Sequence, residues 1–362
     1  MAKKRARDLG LDVPGVPGPL NAITDVAGVE VGLTTIISGD GPLQTPKGPV
    51  RTGVTAILPR GHDNGLSPVW AGIYALNGNG EMTGSHWIKD GGYFYGPVVI
   101  TNTQSVGMAH HATVGWMIDH YPEIKEGHIW CMPVVAETYD GCLNDINGRH
   151  VKEEHVLAAI DSAKGGAVEE GAVGGGTGMI AYEYKGGTGT ASRKVGDHTV
   201  GVLVQANHGV RDWLTVFGIR VGHLMRDDLL FQRERGSIIV VVATDAPMMP
   251  HQLQRLARRA AIGIGRNGTP GGNNSGDIFL AFSTANRRSR DSMETGVLSF
   301  DWLSDNDFDP YYLAAVEATE EAVINAMLAA EDFETLKPAG KTCRAIRPEA
   351  LLAAIAQAKS GA

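Results

Sequence analysis

Short apolar runs broken by Gly, Pro and Asn dominate the first hundred residues, at 29–36, 53–58 and 97–100, and that punctuation predicts strands. The period then changes. Val106, Ala109, Thr113 and Met117 recur near helical spacing with Pro122 beyond them, which predicts a helix from about Ser105 to His120. Residues 129–136 read as a strand that delivers Glu137, Thr138, Tyr139 and Asp140 to a loop, and 153–163 read as a second helix. Residues 180–184 alternate like a half-buried strand. Another strand, 198–207, ends in Asn207, where a polar side chain can be exposed at the edge of a sheet.

A charged stretch from Asp212 to Arg235, densest at Arg226-Asp227-Asp228 and Gln232-Arg233-Glu234-Arg235, reads as an exposed linker. It stops at Gly236-Ser237, where the unbroken apolar run from Ile238 to Ala243 begins. Pro250 opens a helix whose Leu253, Leu256, Ala257, Ala260 and Ile264 form one stripe, with Arg255, Arg258 and Arg259 on its other sides as a solvated face. A strand at 277–284 is entered through the turn 271–276. A long helix follows over 310–331, with Leu313, Val316, Val323 and Met327 apolar, and a last helix covers 348–359. Strands and helices interspersed in this way predict one large domain with helices layered over sheets.

Composition narrows the function. A chain of 362 residues that is 43% hydrophobic can bury such a core. Its formal net charge of -8 supplies no basic field for phosphate backbones, so nucleic acid is excluded as the expected partner. No segment has the ~18 uncharged apolar residues of a membrane span. Lys3, Lys4, Arg5 and Arg7 are followed by no long apolar stretch, so they do not make a secretion signal, and the expected setting is cytoplasmic. Cys131, Cys142 and Cys343 form no CxxC pair and read as small hydrophobes. The 48 glycines cluster between apolar segments, as turns and close approaches require.

Among the candidate chemistries, the adjacent His110 and His111 point to different sides of a helix and make a poor metal pair. Gly174-Gly175-Gly176-Thr177-Gly178 lacks the lysine of a phosphate loop and the spacing of a dinucleotide fold, which leaves a tight turn as its alternative reading. Ser237 carries a more specific argument. A serine hydroxyl needs a base, and an N-terminal amine of pKa ~7.7–8.0 can serve where a lysine near ~10.4 cannot. Cleavage before Ser237 would create both groups on one residue. Gly236, without a Cβ, can adopt a strained backbone and leaves its carbonyl open to that hydroxyl. On pattern alone, a turn before a strand is the stronger explanation of Gly-Ser.

Residues 236–247, with Pro250-His251-Gln252-Leu253, resemble the start of the β-subunit in the L-aminopeptidase/D-esterase family of serine peptidases, which includes the β-aminopeptidases. The resemblance extends through Gly271-Gly272-Asn273-Asn274-Ser275-Gly276-Asp277, through residues 21–29, through Asn77-Gly78-Asn79-Gly80-Glu81 and through residues 135–141. It implies an α+β fold, a four-layer αββα sandwich, cut between Gly236 and Ser237 into segments 1–236 and 237–362. It also implies cofactor-free release of N-terminal residues from short peptides, amides or esters with a free amine. Processed units are then expected to assemble as a homo-oligomer, a tetramer. By the same resemblance Ser237 is the nucleophile, Ser275 and Asp277 orient it or relay protons, Asn207 and Tyr139 stabilise the oxyanion, and Glu137 holds the substrate ammonium. Some β-aminopeptidases carry glutamate where Asp277 stands. Ornithine acetyltransferases are relatives with threonine in place of the serine, so acyl transfer is an alternative activity. A non-catalytic Gly-rich binding protein of the same fold is another.

Overall fold

Ten strands pair into two sheets: β1 (Glu30–Ser38), β2 (Val50–Leu58), β3 (Val69–Ala75), β4 (Tyr93–Phe94), β5 (Val98–Asn102), β6 (Val134–Thr138), β7 (Gly187–Val195), β8 (His198–Asn207), β9 (Ser237–Thr244) and β10 (Asp277–Ser283). This computed structural model describes residues 3–62, 65–231, 233–234, 236–294 and 296–360. Gln232 and Arg235, both in the charged stretch, lie outside the described residues. One sheet has the order β1-β2-β5-β6 and the other β4-β3-β10-β9-β8-β7. Within the larger sheet, β9 is antiparallel to β8 and parallel to β10.

Both faces of both sheets are covered. Ile239, Val241 and Ala243 of β9 meet Val98, Ile100 and Val134 between the sheets, while Ile238, Val240 and Val242 point outward onto helices α3 (Pro250–Arg266) and α4 (Asp309–Leu328). On the opposite outer face, α1 (Val106–His120) and α2 (Glu153–Asp161) cover Val54, Ala56, Val99 and Val135. The order of layers is therefore αββα. Burial on two faces is why the 238–243 run is continuously apolar instead of alternating.

Several sequence expectations change. β6 begins only at Val134, because Pro133 has no N–H for the ladder, and Trp130 is 70% exposed. Residues 180–184 are no half-buried strand: Tyr182 and Glu183 turn through φ of 51° and 61° between two buried two-residue strands. The strand β7 interrupts its β-formers Thr188 and Thr190 with glycines, which masks it along the chain. It exists because Gly189 lets α4 approach, where a Cβ would stand 2.0 Å from the Ala322 carbonyl. Leu313 is 49% exposed, whereas Glu317, Glu320 and Glu321 on the same helix are buried and paired with arginines. Arg5 and Arg7 are structural, pairing with Glu170 at 2.8 Å and Glu321 at 3.0 Å. Arg258 and Arg259 lie over the rings of Tyr74 and Tyr312, so they do not form a merely solvated face.

The 212–235 stretch is not a simple exposed linker either. Arg211 is buried and donates to the carbonyls of Met225 and Tyr182, and Leu214, Val221 and Leu230 are in the core. Residues 174–176 make a tight buried turn, with no room for a phosphate. A Cβ at Gly175 would lie 2.1 Å from Gln205 Oε1, and one at Gly176 would lie 2.2 Å from the Thr188 nitrogen.

Candidate active site

Strand directions gather the candidate residues. Because β9 runs antiparallel to β8 and parallel to β10, the first residue of β9, the last of β8 and the first of β10 share one end of the sheet. Those residues are Ser237, Asn207 and Asp277. Ser237 pairs directly with Asn207, and its neighbour Ile238 pairs with Asp277. From the other sheet, the end of β6 brings Glu137 and Tyr139 to the same place, where Asn207 Nδ2 donates to the Tyr139 carbonyl at 3.0 Å. The loop after β3 completes the wall, with Asn77 donating to Asp277 Oδ2 at 3.1 Å.

Ser237 is almost fully buried, and its Oγ accepts the Gly276 N–H at 3.0 Å. Flanking that glycine, Ser275 Oγ donates to Asp277 Oδ1 at 2.5 Å. The tripeptide 275–277 thus wraps the Ser237 hydroxyl. An Asn79-Gly80 backbone packs on it so closely that a Cβ at Gly276 would lie 2.3 Å from the Asn79 carbonyl. Burial raises the Asp277 pKa, and the hydrogen bonds from Ser275 and Asn77 only partly oppose it.

Asn207 does not stand exposed at a sheet edge. It is buried on an inner strand, with Oδ1 accepting the Ile180 N–H at 2.7 Å. Those two contacts fix the amide plane and leave a second Nδ2 hydrogen for a substrate oxygen. Tyr139 is 39% exposed, and its ring folds over Gly141, where a Cβ would come within 2.3 Å of the hydroxyl. Glu137 is buried and takes hydrogen bonds from the Glu81 N–H at 3.0 Å and from the Thr103 hydroxyl. Burial raises its pKa as well.

Gly236 has no positive φ, so strain does not explain the glycine. Close approach does. A Cβ there would lie 1.6 Å from the Asn207 carbonyl oxygen and 2.9 Å from His208 Cα, both backbone. Between Tyr139, Asn207, Phe231 and Gly236 the continuous chain leaves about 10 Å³, the room of about one water. Asn77 and Thr103 have clear contacts in the site yet no role in the sequence reading; the motif 77–81 marked only the place of the first.

Comparison with known proteins gives the family and the fold. The model of Peptidase family S58 matches residues 21–339. A β-peptidyl aminopeptidase BapA of Sphingosinicella microcystinivorans is 53% identical over 346 residues, 90% of this chain and 86% of that protein. The BapA of Sphingosinicella xenopeptidilytica is 47% identical over 348 residues, 91% of this chain and 86% of that protein. Among solved structures, the L-aminopeptidase D-Ala-esterase/amidase of Ochrobactrum anthropi, described as a variant of the Ntn hydrolase fold, superposes with a TM-score of 0.92. It is 58% identical and covers 98% of each chain. A Burkholderia sp. β-aminopeptidase superposes with a TM-score of 0.88 at 43% identity, covering 98% of this chain and 99% of its own. A family match spanning most of the chain, carried by the same layered fold, makes this protein a hydrolase belonging to Peptidase family S58.

Proposed function

We propose that the chain cleaves itself between Gly236 and Ser237 and then works as an N-terminal-serine aminopeptidase on short peptides, amides or esters with a free amine. The observation that carries this reading is the placement of Ser237. Its hydroxyl begins a strand, is held by the Gly276 N–H, faces the Asn207 strand end and lies beside the Ser275–Asp277 pair. Aminopeptidase activity in the named relatives supports the substrate class.

In the cleavage step, Ser237 Oγ attacks the Gly236 carbonyl carbon. A C–O bond forms, the C–N bond breaks, and the hydroxyl proton passes to the departing Ser237 nitrogen. Water then hydrolyses the ester, releasing Gly236 as a carboxylate and leaving Ser237 with its hydroxyl and a free amine. An amine of pKa ~7.7–8.0 is partly neutral at pH 7 and serves as the base for later turnovers. In turnover the substrate's N-terminal acyl group moves to Oγ, its leaving group takes the proton, and water frees the product. Asn207 Nδ2 and the Tyr139 hydroxyl receive the oxyanion, Ser275 and Asp277 relay protons, and Glu137 holds the substrate ammonium.

Intact-mass analysis tests the first step: cleavage yields fragments of 236 and 126 residues (362 − 236). A panel of peptide amides, with and without an amine acceptor, tests the second, since dominant transfer product at every acceptor concentration would contradict a hydrolase. A homo-oligomer of processed units belongs to the same reading and is checked by light scattering. So does a cytoplasmic setting, in keeping with Cys131, Cys142 and Cys343 standing outside any disulfide and checked by cell fractionation.

A further inference from the structure

Buried acids hold down the segment that leads into Ser237. Glu183 accepts the N–H groups of Leu230 at 2.7 Å and Phe231 at 2.9 Å on one oxygen, and that of Arg211 at 3.1 Å on the other. Further along, Glu234 is 9% exposed. Its Oε1 accepts the Gly209 N–H at 2.6 Å, two residues beyond Asn207. Its Oε2 packs on Gly272, where a Cβ would come within 1.8 Å. Gly272 opens the turn that carries Ser275 and Asp277: its carbonyl accepts the Ser275 N–H at 2.9 Å and the Asn77 amide at 3.1 Å. One carboxylate, two residues before Gly236, therefore touches both loops that build the site. No Lys or Arg among the described residues acts on its charge, and burying an acid without a cation beside it is costly. Burial and the nearby Asp277 both raise its pKa.

We propose that Glu234 is a positioning residue for chain cleavage, spanning from the Gly209 N–H to Gly272 so that the Gly236 carbonyl is held against the Ser237 hydroxyl. This inference rests on the self-cleavage reading above. Gly236 is located by the Asn207–His208 backbone, and Glu234 anchors the chain two residues upstream through the Gly209 N–H. What the clamp requires is reach and an acceptor oxygen. A negative charge is not required.

The test follows the full-length chain after cell-free synthesis, by intact mass against time, with circular dichroism and thermal unfolding reporting the fold. E234Q keeps the length and one acceptor oxygen for the Gly209 N–H, and it cleaves faster than E234D. E234D, one methylene shorter, cleaves about tenfold to a hundredfold more slowly, as expected when the buried Gly209 N–H is left without its acceptor. G272A drives a Cβ into the same carboxylate and slows cleavage while Glu234 is intact, so the contact can be read even where E234D fails to fold. Wild-type rates for folded E234D or for G272A overturn the clamp, as does an E234Q chain as slow as E234D. A wild-type chain that stays at full length instead overturns the cleavage reading beneath it.

Discussion

Replacing Gly236 by alanine isolates steric access from chemistry, because no titratable or hydrogen-bonding group changes. In this structure the new Cβ would lie 1.6 Å from the Asn207 carbonyl oxygen, 2.6 Å from its carbon and 2.9 Å from His208 Cα. All three are backbone atoms of a strand end in register with Ser237, so no side-chain rotation relieves the clash. Restoring van der Waals separation takes a displacement of about 1.5–2 Å. Overpacking of this kind costs about 1–3 kcal/mol, and a misplacement of about 1 Å at a reacting centre can cost about a hundredfold in rate. The expected result is cleavage slowed by about a hundredfold or more, measured as the first-order loss of full-length mass after cell-free synthesis. Gly265→Ala is the control. Its Cβ meets nothing within 4 Å, and it leaves the rate unchanged. If Gly236→Ala cleaves as fast as wild type, the close approach does not constrain the junction and the geometric argument for glycine fails.

Three further outcomes follow from the same structure. Ser237→Ala stays at full length, whereas wild type resolves into fragments of about 25 and 13 kDa when the 38.4 kDa chain is divided in proportion to length; Ser237→Cys cleaves slowly, all read by intact mass. Asn207→Ala lowers kcat by about 10²–10³ if its amide meets the oxyanion, and it lowers stability by about 1–3 kcal/mol because the Ile180 N–H loses its acceptor. A loss confined to KM would remove Asn207 from the oxyanion site. Asp140 is fully buried, and burial pushes its pKa from the ordinary 3.8 to about 7. The folded chain therefore keeps a proton that the unfolded chain has lost. This group's stabilisation is present below about pH 4 and is lost as pH rises to about 7. Asp140→Asn flattens that decline in thermal unfolding, so the melting difference from wild type must change across this range; a constant difference would refute the assignment.

Much of the fold is visible along the chain because burial leaves a local record. The 238–243 run and the stripe of α3 show which faces are covered, and β8, β9 and α1 lie close to where periodicity puts them. β7 leaves no such record: its glycines and small residues reflect the approach of α4, a partner more than a hundred residues away. Glutamates of α4 are buried because Arg7, Arg193 and Arg266 stand beside them, contacts that no local pattern records.

At the candidate site, the residue types and the Gly-Ser junction belong to the sequence itself: a hydroxyl that could become a chain end, preceded by a residue without a Cβ, and motifs at 77–81 and 271–277. Only the tertiary structure decides that they meet. Side-chain periodicity records whether a face is buried, but it does not record which strand lies next to which or in what direction. The antiparallel pairing of β8 with β9 and the parallel pairing of β9 with β10 put Asn207, Ser237 and Asp277 at one end. The same packing gives Asn77 its carboxylate partner, brings the Asn207 backbone against Gly236, and turns Glu234 from a charge in an apparent linker into a buried contact between two loops.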